Sequence, residues 1–363
     1  MITFREEVNA IPPYILGGKF TQELEKHKVT RVVKLNSNEP AYGPFPAAIE
    51  AMQQAIFNLH RLPDDGCPQL KSKLSGKFSV SERHICVSAG SWEVLRLLCL
   101  ACVNRGDEIL LGWPTWPPVI RETQVMGGVA IQVPLTDHCY DLSAILGKIS
   151  ERTKMVYICN PNNPTGTVVT EKQLNGYFDE VPDHVITVVD EAYFEYNQDQ
   201  RVFSAITYLD SGKPALIMRT FSKMYGLISA RIGYGFAPPE IIENMEKCRP
   251  PTNVTLVAEA GALASLNDQG IVAQRAKANW EQKLYLHGAF DKMGLAYTPS
   301  EGNFVWVDVK QDSMEIWAKL LAFGVLVRPG KTYASPTWLR VTIGLPEENE
   351  IFVEALKAVL QQQ

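Results

Sequence analysis

Between about Phe45 and Pro238 short apolar runs alternate with helical stretches, and no other feature of the chain constrains its fold as tightly. The runs are HICVS, EILLGW, VAIQVPL, KMVYICN, VITVVDE, ALIMRT and IGYGFA; AAIEAMQQAIFNLH and WEVLRLLCLACVNRG are among the helical stretches. Val- and Ile-rich runs of this length, bounded by Gly, Pro, Asn or Asp, read as buried strands. Strand–helix alternation predicts an α/β fold, a mainly parallel sheet covered by helices on both faces. In such sheets ligands bind at the carboxyl ends of the strands. After Pro250 the pattern changes to a long helical region and then NFVWVDV, a helix, VLVRPG, WLRVTIG and a last helix, a compact α+β unit. The first forty or so residues lack periodicity and are expected to pack on it. The predicted division is a large domain over 45–265 and a smaller one built from 1–44 and 266–363.

Composition narrows the classes of function. Hydrophobic residues make up 46% of the chain and charged ones 21%, the profile of a globular protein with a sizeable core. The net charge of -5 is spread along the chain, with no basic run to suggest nucleic acid or a membrane surface as partner. The opening MITFREEVNA has acidic residues where a secretory signal has basic ones. Seven scattered Cys, including the CxxC of Cys99 and Cys102 inside an apolar helical pattern, fit reduced thiols and a cytoplasmic protein. The six His have no ligand spacing, so no metal site is expected.

Four polar motifs fall at strand ends. Asn160-Pro-Asn-Asn163-Pro-Thr-Gly166 follows KMVYIC, Asp190-Glu-Ala-Tyr193 follows VITVV, and Thr220-Phe-Ser222-Lys223 follows ALIMR; Arg231 comes eight residues after Lys223. Pyridoxal 5′-phosphate is a ligand that needs such a set. Its aldehyde needs an amine, its pyridine nitrogen a carboxylate, its phenolic oxygen hydrogen-bond donors, and its phosphate a cation, hydroxyls and backbone N–H groups. Lys223, Asp190, Asn163 with Tyr193, and Arg231 with Ser222 are the matching residues. Ala89-Gly90-Ser91, a turn that follows HICVS and opens a helix, is expected to complete the phosphate cradle. Trp116, after EILLGW, is the candidate ring to cover the cofactor face.

Together these motifs resemble fold-type-I pyridoxal-phosphate enzymes, and the match sharpens toward the histidinol-phosphate aminotransferase family of the class I/II aminotransferases. Leu35-Asn-Ser-Asn-Glu39 with Tyr42-Gly-Pro44 resembles that family's SSNENPYGP opening, Pro13-Tyr14 its PPY entry, and LRVTIG with Glu347-Glu-Asn349 its C-terminal LRISVG…EEN signature. The resemblance runs from about residue 10 to the C-terminus. It implies that Lys223 carries the cofactor as a Schiff base and moves protons, that Asp190 pairs with the pyridinium, and that Asn163 and Tyr193 bind the phenolic oxygen. It also implies that Ser222 and Arg231 hold the phosphate and that Arg340 grips a substrate carboxylate. Arg328 is a second candidate for anionic substrate groups, and Tyr14 a candidate substrate contact. The implied reaction is amino transfer between an amino acid or phosphorylated amine and a 2-oxo acid, in a homodimer.

The chain departs from the family pattern at three places: GSDE reads Gly90-Ser-Trp92-Glu93, YPD reads Leu62-Pro-Asp64, and NENP reads Asn38-Glu-Pro-Ala41. Other readings are decarboxylation of a phosphorylated amino acid such as threonine phosphate, aromatic amino acid transamination, and a non-catalytic cofactor-binding module of a regulator. The last usually carries a DNA-binding segment, for which there is no room before Tyr14. A nicotinamide oxidoreductase would need a GxGxxG after a strand, and none is present.

Overall fold

The structure, a computed structural model, describes residues 2–12 and 29–361. Its strands are β1 (Val33–Lys34), β2 (Ile85–Ser88), β3 (Glu108–Trp113), β4 (Val129–Pro134), β5 (Thr153–Cys159), β6 (Ile186–Asp190), β7 (Ala215–Thr220), β8 (Gly233–Phe236), β9 (Ala296–Tyr297), β10 (Phe304–Asp308), β11 (Val325–Leu326), β12 (Arg328–Pro329) and β13 (Trp338–Thr342). Seven of them form one sheet in the order β2-β8-β7-β6-β5-β3-β4. The pairs from β7 to β4 are parallel, so the fold is α/β with a mostly parallel sheet. The exception is β8, which runs antiparallel to both β2 and β7. A fully buried strand shows the same unbroken apolar run in either direction, which is why the sequence does not reveal the reversal. The reversal matters for function. It brings the start of β8 to the edge where β2, β3, β5, β6 and β7 all end, and Arg231 stands just before that start.

The central strands owe their run-on hydrophobicity to burial on both faces. Every residue of β7 and all but the first of β6 are buried. The edge strand β4 is mostly exposed or half-buried, with Val133 alone fully enclosed. Below the carboxyl edge, Arg219 of β7 makes a buried ion pair with Glu191 at 2.7 Å and lies over the ring of Phe194 at 4.3 Å. This pair ties the end of β7 to the end of β6.

A second hydrophobic cluster gathers Val33, Leu35, Phe290, Val305, Leu320, Val341 and Phe352. It sits around the antiparallel sheet β12-β13-β10-β9, with the helices Gln269–Met293, Ser313–Ala322 and Pro346–Gln361 packed about it. The run VLVRPG is not one strand. It breaks at Val327 into β11, which pairs in parallel with β1, and β12, which pairs with β13. The helical region after Pro250 also divides, into Leu256–Ser265 and Gln269–Met293, because Asp268 caps the second helix by accepting from Ile271 N–H. Residues 33–38 run beside this second unit, with Leu35 bonded to Leu326 and Thr342, and carry Asn36 and Asn38 to the edge of the large sheet. Among the described residues no helix is long and apolar enough to cross a membrane, and no group of His, Cys, Asp and Glu could hold a metal ion. Burial pushes the Cys99 thiol well up and that of Cys102 up to about 12, which makes both poor nucleophiles.

Candidate active site

A cavity of about 630 Å3 opens at the carboxyl edge of the large sheet, against β12 and β13 of the second unit. Lys223 enters it from the turn after β7. Its Nζ donates to the Asn38 carbonyl at 2.8 Å. Burial first, and then Arg340, push its pKa down from 10.5 to about 7; Arg231 adds to them, while Glu39 and Asp190 oppose. An ammonium loses hydration on burial and gains nothing from a guanidinium nearby. The result is an amine that is substantially neutral, and so nucleophilic, near neutral pH.

Asp190 ends β6 at the cavity floor, 3% exposed. Its carboxylate accepts from Tyr157 Oη at 2.7 Å and from Ala192 N–H at 3.1 Å. Burial nonetheless wins and raises its pKa from 3.8 to about 6. A carboxylate so placed favours a cationic N–H group beside it. Tyr193, three residues on, accepts from Asn38 Nδ2 at 2.9 Å and from Asn163 Nδ2 at 3.4 Å. With both lone pairs engaged by donors, its own hydroxyl proton points to an acceptor. Trp116 lies over this floor, its ring centroid 6.5 Å from that of Tyr157 and 5.6 Å from that of Trp92.

At the other end of the cavity Arg231 adopts a left-handed backbone, φ 57°. Its Nη1 donates to Ser222 Oγ at 3.3 Å and to the Ile228 carbonyl at 2.8 Å. Gly90 has φ 95°, and a Cβ there would lie 2.5 Å from Arg231 Nη2, so only glycine lets the guanidinium rest against the turn. The three residues of this turn do not act alike. The Ala89 N–H donates to Glu93 Oε2 at 2.6 Å and the Gly90 N–H to the Ser88 carbonyl at 2.7 Å, so neither amide faces the cavity. Ser91 lines it, at the first turn of the helix Ser91–Cys102, where N–H groups have no acceptor within the helix. Trp92, which replaces an Asp of the family pattern, donates its indole N–H to Glu122 at 2.7 Å.

On the opposite wall Arg340 of β13 faces Arg328 of β12 as direct cross-strand partners. Arg340 is 4% exposed. Its guanidinium donates to Asn163 Oδ1 at 2.6 Å, Tyr333 Oη at 3.0 Å and the Asn36 carbonyl at 2.7 Å, all neutral acceptors, while its buried Nε has none. Arg328 Nε reaches the same Asn36 carbonyl at 3.4 Å.

The cavity thus brings together Lys223, Asp190, Asn163, Tyr193, Ser222, Arg231, Ser91, Trp116, Arg328 and Arg340. Ala89 and Gly90 shape its rim from behind, and Tyr14 falls outside the described residues. Leu62 is 82% exposed on the loop after the helix Pro46–Ile56. Asn38 and Tyr333 line the cavity too and were missed by sequence reasoning, as was Tyr157, which backs Asp190 from inside the core. Tyr157 hides inside an apolar run, and only its hydroxyl marks it. The residues fit pyridoxal phosphate. They offer a neutral amine, a buried carboxylate for a cationic ring nitrogen, a phenol for an oxyanion, and an arginine seated on a glycine turn for the phosphate.

The chain matches the family profile described as Aminotransferase class I and II over residues 30–356. It is 41% identical to the histidinol-phosphate aminotransferase of Moorella thermoacetica, over 98% of this chain and 92% of that one. Identity to the enzyme of the same name from Caldicellulosiruptor saccharolyticus is also 41%, over 98% and 100% of the two chains. Among solved structures, the histidinol-phosphate aminotransferase of Sinorhizobium meliloti in complex with pyridoxal-5′-phosphate superposes with a TM-score of 0.91 at 25% identity, covering 99% of this chain and 97% of that one. A double mutant of Thermus thermophilus aspartate aminotransferase superposes with a TM-score of 0.86 at 25% identity, covering 99% and 100%.

Proposed function

The chain belongs to the class I and II aminotransferases, and from that premise we propose that it moves an amino group between histidinol phosphate, or a phosphorylated amine of that build, and a 2-oxo acid. It is a pyridoxal-phosphate-dependent transferase. Bound, the cofactor supplies an aldehyde for the amine and an electron-withdrawing ring that stabilises negative charge on the adjoining carbon. Lys223 would hold the aldehyde group and would be the group that moves a proton between the reacting carbons. Asp190 keeps a proton on the ring nitrogen. Tyr193 and Asn163 donate toward the phenolic oxygen, while Ser222, Arg231 and the Ser91 N–H hold the phosphate. Trp116 covers the ring face and excludes water from it.

The observation that carries the substrate reading is the buried, unsatisfied Nε of Arg340, with Arg328 opposite it on the neighbouring strand. Two planar guanidinium forks suit either a phosphate or a carboxylate. The same pair can therefore grip the phosphate of the amine in one half of the reaction and a carboxylate of the 2-oxo acid in the other. The test incubates the purified enzyme with histidinol phosphate and a 2-oxo acid and measures the amino acid formed by chromatography, beside a panel of other amines. Release of CO2 from a phosphorylated amino acid would favour decarboxylation, and faster turnover of phenylalanine or tyrosine would favour the aromatic reading.

Arg340→Leu is expected to raise KM for the anionic substrates by about 10- to 100-fold with a smaller change in kcat, since hydrogen bonds to a charged group contribute about 1.5–3 kcal/mol. Steady-state kinetics with each substrate varied in turn provide the check. A KM unchanged for both would remove Arg340 from the substrate site.

A homodimer is part of the same reading. Ile49, Ile56, Phe57, Leu59 and Leu62 are exposed on the helix Pro46–Ile56 and the loop after it, a concentration of apolar surface that suits a second copy of the chain. Sedimentation showing a monomer at micromolar concentration would refute this. The seven unpaired thiols support a cytoplasmic location.

A further inference from the structure

Behind the turn at Ala89 runs a chain of hydrogen bonds in which no member reaches the reacting atoms. Glu93 Oε2 accepts from the Ala89 N–H, from Ser88 Oγ and from Asn253 Nδ2, each at 2.6 Å. Asn253 Oδ1 accepts in turn from Arg249 Nη1 at 3.1 Å. Arg249 forks onto both oxygens of Asp65 at 2.8 and 3.0 Å, and its Nε donates to Glu246. The Thr252 N–H also reaches Asp65 Oδ1, at 2.8 Å. The Arg249 side chain is only 6% exposed, and its fork on Asp65 holds that carboxyl well below the usual carboxylate range. Asp65 stands on the loop that carries Leu59 and Leu62, which leaves through left-handed Gly66 and Cys67. The chain of bonds therefore joins that loop to the turn on which Arg231 and the Ser91 amide depend.

From this geometry we infer that Asp65, Arg249, Asn253 and Glu93 are positioning residues for the cofactor phosphate, acting through the backbone of the turn. The inference rests on the placement of the phosphate between Arg231, Ser222 and Ser91. The physical argument is one of orientation. A turn of Ala, Gly and Ser has no bulky side chain to fix it, so its peptide planes are set by what their N–H groups bind. Glu93 fixes the Ala89 peptide and thereby the approach of Gly90 to the guanidinium. Glu93 is itself held by Asn253, and Asn253 by an arginine whose fork is locked on Asp65. Preorganised donors bind an anion more tightly than donors that must be ordered at the moment of binding.

The experiment compares the full-length apoenzyme with Asp65→Asn, Glu93→Gln and the double variant. Affinities are measured for pyridoxal phosphate and for pyridoxal, which lacks the phosphate. Each single variant is expected to weaken pyridoxal phosphate about three- to tenfold, and the double variant by less than the product of the two, because both act along one chain. Affinity for pyridoxal should stay within about twofold. A merely structural role would weaken both ligands alike. Equal losses for the two ligands, or losses that multiply in the double variant, would overturn the inference. If Glu93→Gln fails to fold, the contrast between the two ligands in Asp65→Asn decides alone. A wild-type protein that prefers pyridoxal over its phosphate would instead unseat the proposed phosphate site.

Discussion

Lys223→Ala is expected to lower turnover by about 10^3-fold or more while leaving the fold in place. Positioned proton transfer alone contributes about 10^2- to 10^4-fold, and in the proposed role the same amine would also hold the cofactor. Among the described residues the side chain contributes a bond from Nζ to the Asn38 carbonyl and a contact of Nζ with the Tyr193 ring at 5.6 Å, and neither fills core volume. The sign of its pKa shift says that it strains the apoprotein. A lysine whose folded pKa lies near 7 and unfolded pKa near 10.5 loses folding stability as pH falls through that window, because the unfolded chain takes up the proton first. At neutral pH the alanine variant should therefore melt no lower than the parent apoprotein. Lys223→Arg is the informative control. It puts a permanent positive charge in the same place and cannot give up its proton, so it should be as inactive as alanine. Product formation measured by chromatography, with circular dichroism on the same samples, tests both. Activity within tenfold of the parent in either variant would refute the role.

The same residues show where sequence reasoning reached its limit. Lys223, Asp190 and Asn163 were legible because each closes an apolar run at a predicted strand end, and a parallel sheet collects such ends along one edge. Arg231 could be placed in the site by spacing but not by topology. Its arrival depends on β8 running antiparallel, which an unbroken buried run does not reveal. Its left-handed backbone, unusual for a residue other than glycine, places it just before the strand. VLVRPG looked like one strand because every residue up to Arg328 suits one. The break at Val327 comes from tertiary pairing, with β1 claiming one half and β13 the other. Asn38 and Tyr157 went unrecognised for a different reason. Asn38 works through a carbonyl, a backbone N–H held by Thr342, and a side-chain amide on Tyr193, contacts that span most of the chain. Tyr157 is a strand residue whose body belongs to the core and whose tip alone is chemical. At the turn of Ala89, Glu93 claims an amide that the local pattern offered to the phosphate.

Asp190→Asn should separate function from stability in opposite directions. An amide cannot hold a proton on the ring nitrogen as an ion pair does, so the ring loses its power to stabilise charge. Removal of one such electrostatic group typically lowers kcat by about 10^2- to 10^3-fold. The apoprotein should respond the other way. Burial raises the Asp190 pKa from 3.8 to about 6, so the folded chain holds that proton more tightly than the unfolded one. Stability is therefore lost as pH rises between those values, and above about pH 6 the ionised carboxylate costs about 3 kcal/mol. Asparagine carries no such charge, and its hydrogen bonds can be kept: its Oδ1 still accepts from the Ala192 N–H, and its Nδ2 can donate to Tyr157 Oη once that hydroxyl rotates. Chemical denaturation of the two apoproteins should show the smallest difference at pH 4 and an advantage for Asp190→Asn that grows to a plateau of up to about 3 kcal/mol by pH 7. A constant difference across that range would mean that the carboxylate is not charged against its will in the folded state. Wild-type kcat in the same variant, at saturating cofactor, would remove Asp190 from the chemistry altogether. The charge that the apoprotein bears at a loss at the end of β6 is one that a cationic ring nitrogen beside it would make favourable.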